Sequence, residues 1–201
     1  MINLIIIGII SAITISSLIQ STHKQEYVTK LKKADSVLKQ SLYKIAVDSG
    51  YTVGDFSFMK DDEFFEYFAK NLNATIICKD GTQNQCIETH KTLNKQRDYQ
   101  FSSYGALITN DGIAYGWSKD YCDKGVAEED KDRAKCIGQF SVDVNASKNP
   151  NTIGYDYFYF LVIDGKGILP AGYGNNSADC NKNDNGFTCA AKVLKEGKIT
   201  Y

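Results

Sequence analysis

Six cysteines are the residues of this chain whose chemistry can be predicted most directly from their spacing. An even number of cysteines, each enclosing a polar loop with its neighbour, is typical of disulfides formed in an oxidising compartment. Six cysteines allow fifteen connectivities, so pairing of neighbours is an expectation rather than a deduction. Zinc is the alternative, although no couple has the Cys-x-x-Cys spacing and the chain has only two histidines. The expected pairs are Cys78 with Cys86, Cys122 with Cys136, and Cys180 with Cys189.

The loop between Asp143 and Asp156 contains the side chains best suited to hold an ion. Asp143, Asn145 and Asp156 offer hard oxygen ligands, which Ca²⁺ prefers. The loop is not an EF-hand, because it lacks both the Gly of the sharp turn and the closing Glu. The alternative is that these side chains accept hydrogen bonds from backbone N–H groups in turns around Pro150. We favour the turns and keep calcium as the second interpretation.

Catalysis finds little support in the sequence. His23 and His90 are the only histidines, and the Gly-x-Ser-x-Gly pattern of a nucleophile elbow is absent. The net charge is -1, from 23 basic and 24 acidic residues, and no basic patch stands out as it would in a nucleic-acid-binding protein. We therefore expect a protein that is not an enzyme, needs no cofactor unless it binds calcium, and has no nucleic-acid partner.

The element that must position the rest is an apolar stretch from Ile2 to Ile19, which carries no charged residue. As a helix, about 18 to 20 such residues cross the hydrocarbon core of a bilayer. Helical spacing continues from His23 to Ala46, with apolar residues on one face only. We predict one helix, with a membrane or filament-core half in residues 1–22 and an amphipathic half in 23–50. The amphipathic face is formed by Val28, Leu31, Ala34, Leu38, Leu42 and Ile45.

Residues 51–201 are predicted to form a globular head that packs on the amphipathic half of the helix in residues 1–50. A short amphipathic helix, EFFEYFAKNL, comes first, and Asn110-Asp-Gly and Asp164-Gly are turn signals between apolar runs. The expected fold class is α+β, with an antiparallel sheet of about four strands. Those strands are Gly105–Thr109, Ile113–Trp117, Gln139–Asp143 and Tyr157–Ile163, and it is left open whether Gly167–Pro170 pairs back.

Four stretches, taken in order, resemble bacterial type IV pilin-like proteins, including the pseudopilins of type II secretion. Leu4 to Gln20, LIIIGIISAITISSLIQ, is similar to the assembly helix of these proteins, and Tyr27 to Ala46 is similar to its amphipathic continuation. Asp143 to Phe160 resembles a loop of one subgroup, in which Asp-Val-Asn is followed by Pro-Asn and Gly-x-Asp-x-Phe. Gly186 to Tyr201, GFTCAAKVLKEGKITY, resembles the C-terminal end of that subgroup. The resemblance thus includes both ends and the centre of the chain.

The resemblance implies a pilin-like fold and a function in assembly, as a structural subunit of a type IV pilus-like or type II secretion filament. It implies a single-pass anchor in the bacterial inner membrane, an extracytoplasmic head, and later a periplasmic or extracellular filament. The implied partners are copies of this chain, other pilin-like subunits, the inner membrane, the prepilin peptidase and the assembly platform. Gly8 and Ala12 have the small-x-x-x-small spacing that permits close helix packing. Some pseudopilins are expected to hold calcium in a sheet-side loop, which bears on Asp143, Asn145 and Asp156.

Two departures from the family pattern affect the expected processing. Family members begin with a basic leader that ends in Gly, followed by an aromatic-led stretch with a Glu. We therefore expect that the leader and the first mature residues are missing before Met1. Many members also have a helix-bending Pro where this chain has Ser16 or Ser17, so the expected helix is either straighter or bent only by Ser pairs.

The charges that flank the apolar stretch leave a second function open. No basic residue precedes the stretch, whereas Lys24, Lys30, Lys32 and Lys33 follow it. The positive-inside rule alone would then place the head in the cytoplasm, in conflict with the expected disulfides. A basic leader before Met1 would remove the conflict. The alternative function is a membrane-anchored extracytoplasmic binding or adhesin domain that does not polymerise.

Overall fold

The protein has an α+β fold in which one long N-terminal helix packs on an antiparallel sheet. The computed structural model describes residues 2–79, 86–100, 104–119, 122, 135–146, 148–174 and 180–201, with side chains from Leu18 onward. The described helices are α1 (Ile2–Ser49), α2 (Asp61–Asn71) and α3 (Cys189–Glu196). The described strands are β1 (Ala74–Lys79), β2 (His90–Lys91), β3 (Asp98–Tyr99), β4 (Gly105–Thr109), β5 (Ala114–Lys119), β6 (Cys136–Asp143), β7 (Tyr157–Ile163) and β8 (Gly167–Pro170).

Helix α1 is continuous over 48 residues, as the sequence predicts. At about 1.5 Å per residue it is about 72 Å long. Gly50 follows its end with a φ of 73° and donates its N–H to Ala46 O at 3.0 Å, which is the glycine stop expected there. The buried apolar side chains of α1 recur every three or four residues and face the head. They are Tyr27, Val28, Leu31, Ala34, Leu38, Leu42 and Ile45.

The main sheet has six strands in the order β1-β4-β5-β6-β7-β8, all antiparallel to their neighbours. The expectation of about four strands is therefore wrong. β8 does pair back on β7, and β1 is an additional strand at the opposite edge. β1 gives little sequence signal because Ile76 and Ile77 are consecutive apolar residues without alternation, and each is about half exposed (51% and 50%).

Aromatic side chains fill the space between α1, α2 and one face of the sheet. Phe64 and Phe68 lie on the buried face of α2, as its 3.6-residue spacing predicts. The Phe68 and Phe140 ring centroids are 4.3 Å apart, and the Phe64 and Trp117 centroids are 4.5 Å apart. Trp117, the only tryptophan of the chain, is 1% exposed. This core makes the second half of α1 part of the head.

The opposite face of the sheet is covered near β7 by the segment that carries the small β2–β3 sheet. Lys91 in β2 donates its backbone N–H to Asn151 O at 2.8 Å and accepts one from the N–H of Ile153 at 2.8 Å. These bonds attach β2 to the loop that enters β7. Every residue of β7 is buried, because this strand has a packed layer on each face. The loop before β7 is thereby enclosed, which brings polar residues into the interior.

Candidate functional site

The burial of the α1 side chains changes where the helix leaves the head. No side chain between Leu18 and Glu26 is buried, whereas Tyr27 and Val28 are. Leu18 and Ile19 are 68% and 52% exposed. In the described part of α1 and in the other described helices, no segment is both long and apolar enough to cross a bilayer. The side chains of the predicted packing residues Gly8 and Ala12 lie outside the described residues, although their backbone is helical.

A second exposed apolar surface lies on α1 where the helix packs on the head. Tyr43 is 72% exposed and Val47 is 63% exposed, one helical turn apart. At about 100° per residue, Leu18, Tyr43 and Val47 lie within about 40° of one another around the helix axis. We name these three residues the open helix stripe. The open helix stripe is hard to predict from the sequence, because Tyr43 and Val47 lie among the apolar residues of the packed face, such as Leu42 and Ile45.

Three disulfides are present, as expected, and each joins a cysteine to its neighbour in the sequence. None of the cysteines in the described part of the chain is free, so the zinc alternative is wrong. Each disulfide closes a short loop of the head, and none involves α1. The pairs are Cys78–Cys86, Cys122–Cys136 and Cys180–Cys189, with sequence separations of 8, 14 and 9 residues.

The predicted ion-site residues surround a buried polar cluster that also contains a histidine. His90 Nε2 lies 3.0 Å from Asp143 Oδ2, and the two side chains are 1% and 0% exposed. The other Asp143 oxygen accepts the backbone N–H of Asn145 at 3.1 Å. The His90 ring packs on the Tyr157 ring with centroids 3.7 Å apart. The role of His90 has no local signal in the sequence, because His90 is 53 residues from Asp143 along the chain.

Asp156 closes the turn that leads into β7. Its Oδ2 accepts the backbone N–H of Asn151 at 2.8 Å, and its Oδ1 accepts that of Thr152 at 2.6 Å. Asn145 donates through Nδ2 to the Tyr27 hydroxyl of α1 at 3.2 Å. The cluster therefore ties the loop both to itself and to the long helix.

All four carboxylate oxygens of Asp143 and Asp156 have protein partners, which is the arrangement expected for turns. Asn145 Oδ1 is the one oxygen of the predicted ligand set that has no hydrogen-bond partner among the described residues. Among those same residues, no three or more His, Cys, Asp or Glu side chains are grouped so that they could hold a metal ion. Calcium at this loop stays a prediction.

Burial controls the protonation of the cluster. It raises the pKa of Asp143 well above its usual range and lowers the pKa of His90 to about 4. Burial also raises the pKa of Asp156 to about 7, although the Thr152 N–H acts in the opposite direction. The shifts of Asp143 and His90 act against the charged forms of both side chains, and therefore against a buried ion pair between them.

The shifted pKa values give the cluster opposing effects on stability. The folded-state pKa of Asp156 is above its unfolded value. Its contribution to the free energy of unfolding is therefore full below about pH 4 and is lost as the pH rises through about 7. His90 has a lowered pKa, so its contribution is present above about pH 6.5 and is lost as the pH falls through about 4. The effects of Asp156 and His90 on the pH dependence of stability can therefore be separated only with a variant that lacks one of these two side chains.

Comparison with known proteins leaves the family open: no family model, no curated protein and no solved structure matches this chain.

Proposed function

We propose that this chain is a structural subunit of a type IV pilus-like or type II secretion filament, anchored in the bacterial inner membrane before assembly. The observation that carries the proposal is the division of α1 into a packed part and a projecting part. Seven apolar side chains from Tyr27 to Ile45 build the helix into the head core. The same helix extends back to Ile2 with no buried side chain between Leu18 and Glu26.

The projecting part has the length that a membrane anchor requires. The apolar stretch from Ile2 to Ile19 comprises 18 helical residues, or about 27 Å, against about 30 Å for the hydrocarbon core of a bilayer. The sequence from Ile2 to Ile19 is uncharged. Such a surface is solvated equally well by lipid tails and by neighbouring apolar helices. The same segment can therefore hold a stored subunit in the membrane and pack against other copies in a filament.

The open helix stripe places Tyr43 and Val47, on the packed part of α1, on the same side of the helix as Leu18 in the projecting part, with polar residues between them. Leu18, Tyr43 and Val47 lie on one side of the rod, about 43 Å apart end to end. Neighbouring copies that pack side by side through their first halves would also approach one another along this side. Burial of Tyr43 and Val47 between copies would remove their exposed apolar surface from water.

The test is incorporation into filaments by cells that carry a type IV pilus or type II secretion assembly system. The full chain, expressed from its own upstream region, is expected to be cleaved by the prepilin peptidase and recovered in sheared filaments. A photo-crosslinking residue at Val47 is expected to give a ladder of self-linked copies, whereas one at Ile77, exposed on edge strand β1, is the control.

One outcome would favour the membrane-anchored binding domain over the subunit. If the chain folds and inserts in the membrane but stays uncleaved and monomeric in the presence of the assembly system, the proposal is refuted. Crosslinks at Ile77 with none at Val47 would support assembly of copies, but would show that they contact one another away from the open helix stripe.

A further inference from the structure

The base of the head contains a cleft with a marked excess of positive charge. The cleft lies between α1 and the C-terminal segment, has a volume of about 280 Å³, and is lined by Gln20, Lys24, Val28, Lys198 and Ile199 among others. That volume is near the lower end of the range for small-molecule sites, about 300–1,000 Å³. The polar lining consists of amide, hydroxyl and ammonium groups. Such a lining donates hydrogen bonds to an anion.

The positive charges of this region are only partly neutralised by the protein. Lys24 donates to the main-chain oxygen of Tyr201 at 3.0 Å. Among the described residues, Lys198 has no ion-pair partner within 4.0 Å. Of the nearby acids, Glu26 is paired with Lys30 at 3.2 Å. Among the residues that line the cleft two are basic and none is acidic, so the lining attracts an anionic group.

Helix geometry places the cleft at the membrane surface if the proposed anchor is correct. Lys24 lies five residues after Ile19, where the apolar stretch ends, which is about 7.5 Å along the helix. The headgroup layer on each side of the hydrocarbon core is about 5–7 Å thick. Lys24 and the cleft are thus level with lipid phosphates, while the exposed Leu18 and Ile19 are level with the part of the lipid tails next to the headgroups.

We infer that this cleft binds the phosphodiester headgroup of an anionic lipid, with Lys24 and Lys198 as the groups that contact the phosphate. This inference rests on the proposed membrane anchor and adds a ligand to it. Exposed Leu18 and Ile19 favour a lipid over a free phosphate, because they offer apolar contacts to the acyl chains directly beside the basic groups. The site also explains why lysines follow the apolar stretch, where they oppose translocation of the head.

The test measures lipid selectivity of the full chain in phosphatidylcholine vesicles with and without phosphatidylglycerol. Electron paramagnetic resonance of spin-labelled lipids gives the relative association of the two headgroups with the inserted protein. We expect a preference for phosphatidylglycerol that weakens with salt, and that falls about fivefold in Lys198→Gln and in Lys24→Gln. Lys60→Gln, an exposed lysine in the segment that follows the other end of α1, is the matched control and is expected to change nothing.

The outcomes separate this inference from the proposed anchor. Insertion with equal association of the two lipids, or an equal loss in Lys60→Gln, would overturn the headgroup site and leave the anchor intact. Failure of the chain to float with vesicles of either composition would refute the anchor and this inference together. Displacement of phosphatidylglycerol by sodium phosphate, but not by sodium chloride at equal ionic strength, would assign the cleft to free phosphate instead. Unchanged Trp117 fluorescence in each variant verifies the fold.

Discussion

Leu38→Ala tests whether the second half of α1 is a structural part of the head. Leu38 lies midway along the packed face of the helix and is 0% exposed within the main hydrophobic core. If α1 were only a tether, removal of this side chain would have little effect on unfolding of the head. If α1 completes the core, the substitution leaves a cavity between the helix and the sheet.

The expected cost of Leu38→Ala is about 3 kcal/mol of unfolding free energy. Leu→Ala substitutions at fully buried sites cost about 2.7–5.0 kcal/mol, through lost apolar transfer and the cavity that is left. With a urea m-value of about 2 kcal/mol/M for a domain of this size, the midpoint of unfolding is expected to fall by about 1.5 M. The m-value itself should not change.

The assay is urea unfolding of the full chain in a mild non-ionic detergent, followed by the fluorescence of Trp117. This single tryptophan lies between Phe64 and Phe140, so its emission reports on the head core. Leu18→Ala is the matched control, because it makes the same change on the same helix at a side chain that is 68% exposed. We expect it to cost less than about 0.5 kcal/mol. Equal small shifts in both variants would refute the packing of α1 as part of the core.

Changes at three other places have expected outcomes of their own. Replacing Cys122 and Cys136 by Ser is expected to cost about 3 kcal/mol, because their disulfide closes a loop with a sequence separation of 14; an unchanged urea midpoint would contradict this. Because of Asp156, the free energy of unfolding of the wild type is expected to fall by up to about 4 kcal/mol as the pH rises from about 4 to 7, and Asp156→Asn is expected to abolish this fall. Parallel plots of unfolding free energy against pH for the two proteins would contradict this. Gly172→Ala is expected to lower the urea midpoint more than Gly165→Ala. Both glycines have a positive φ, but only at Gly172 would the new Cβ clash with a backbone oxygen, that of Thr188; equal midpoints would argue against the clash.

The helix and the central strands could be predicted because their sequences carry strong local patterns. The buried positions of α1 from Val28 to Ile45 are the ones that helical spacing selects. β4 and β5 are separated by a turn at Asn110-Asp-Gly, where Gly112 has a φ of 74°. The cysteine pairs also agree with the simplest connectivity. In each case the residues that decide the structure lie close together in the sequence.

Features that depend on distant residues could not be predicted. β1 becomes a strand because it pairs with β4, about 30 residues later, and its own sequence lacks alternation. The contact between His90 and Asp143 arises because the β2 segment folds back over the end of β6. Alternation along β6 does place Asp143 on the same face as Gln139 and Ser141, and this buried polar row is the signal that could have pointed to the cluster.

The way in which α1 is embedded determines how the protein responds to mechanical load. A pull along the axis of α1, applied at its N-terminal side, acts in shear on the seven side chains from Tyr27 to Ile45. Because an unbroken helix is stiff along its axis, these contacts share the force and must yield nearly together, instead of peeling apart one by one. The head is therefore expected to resist axial tension far better than a sideways force that lifts the helix off the sheet from one end.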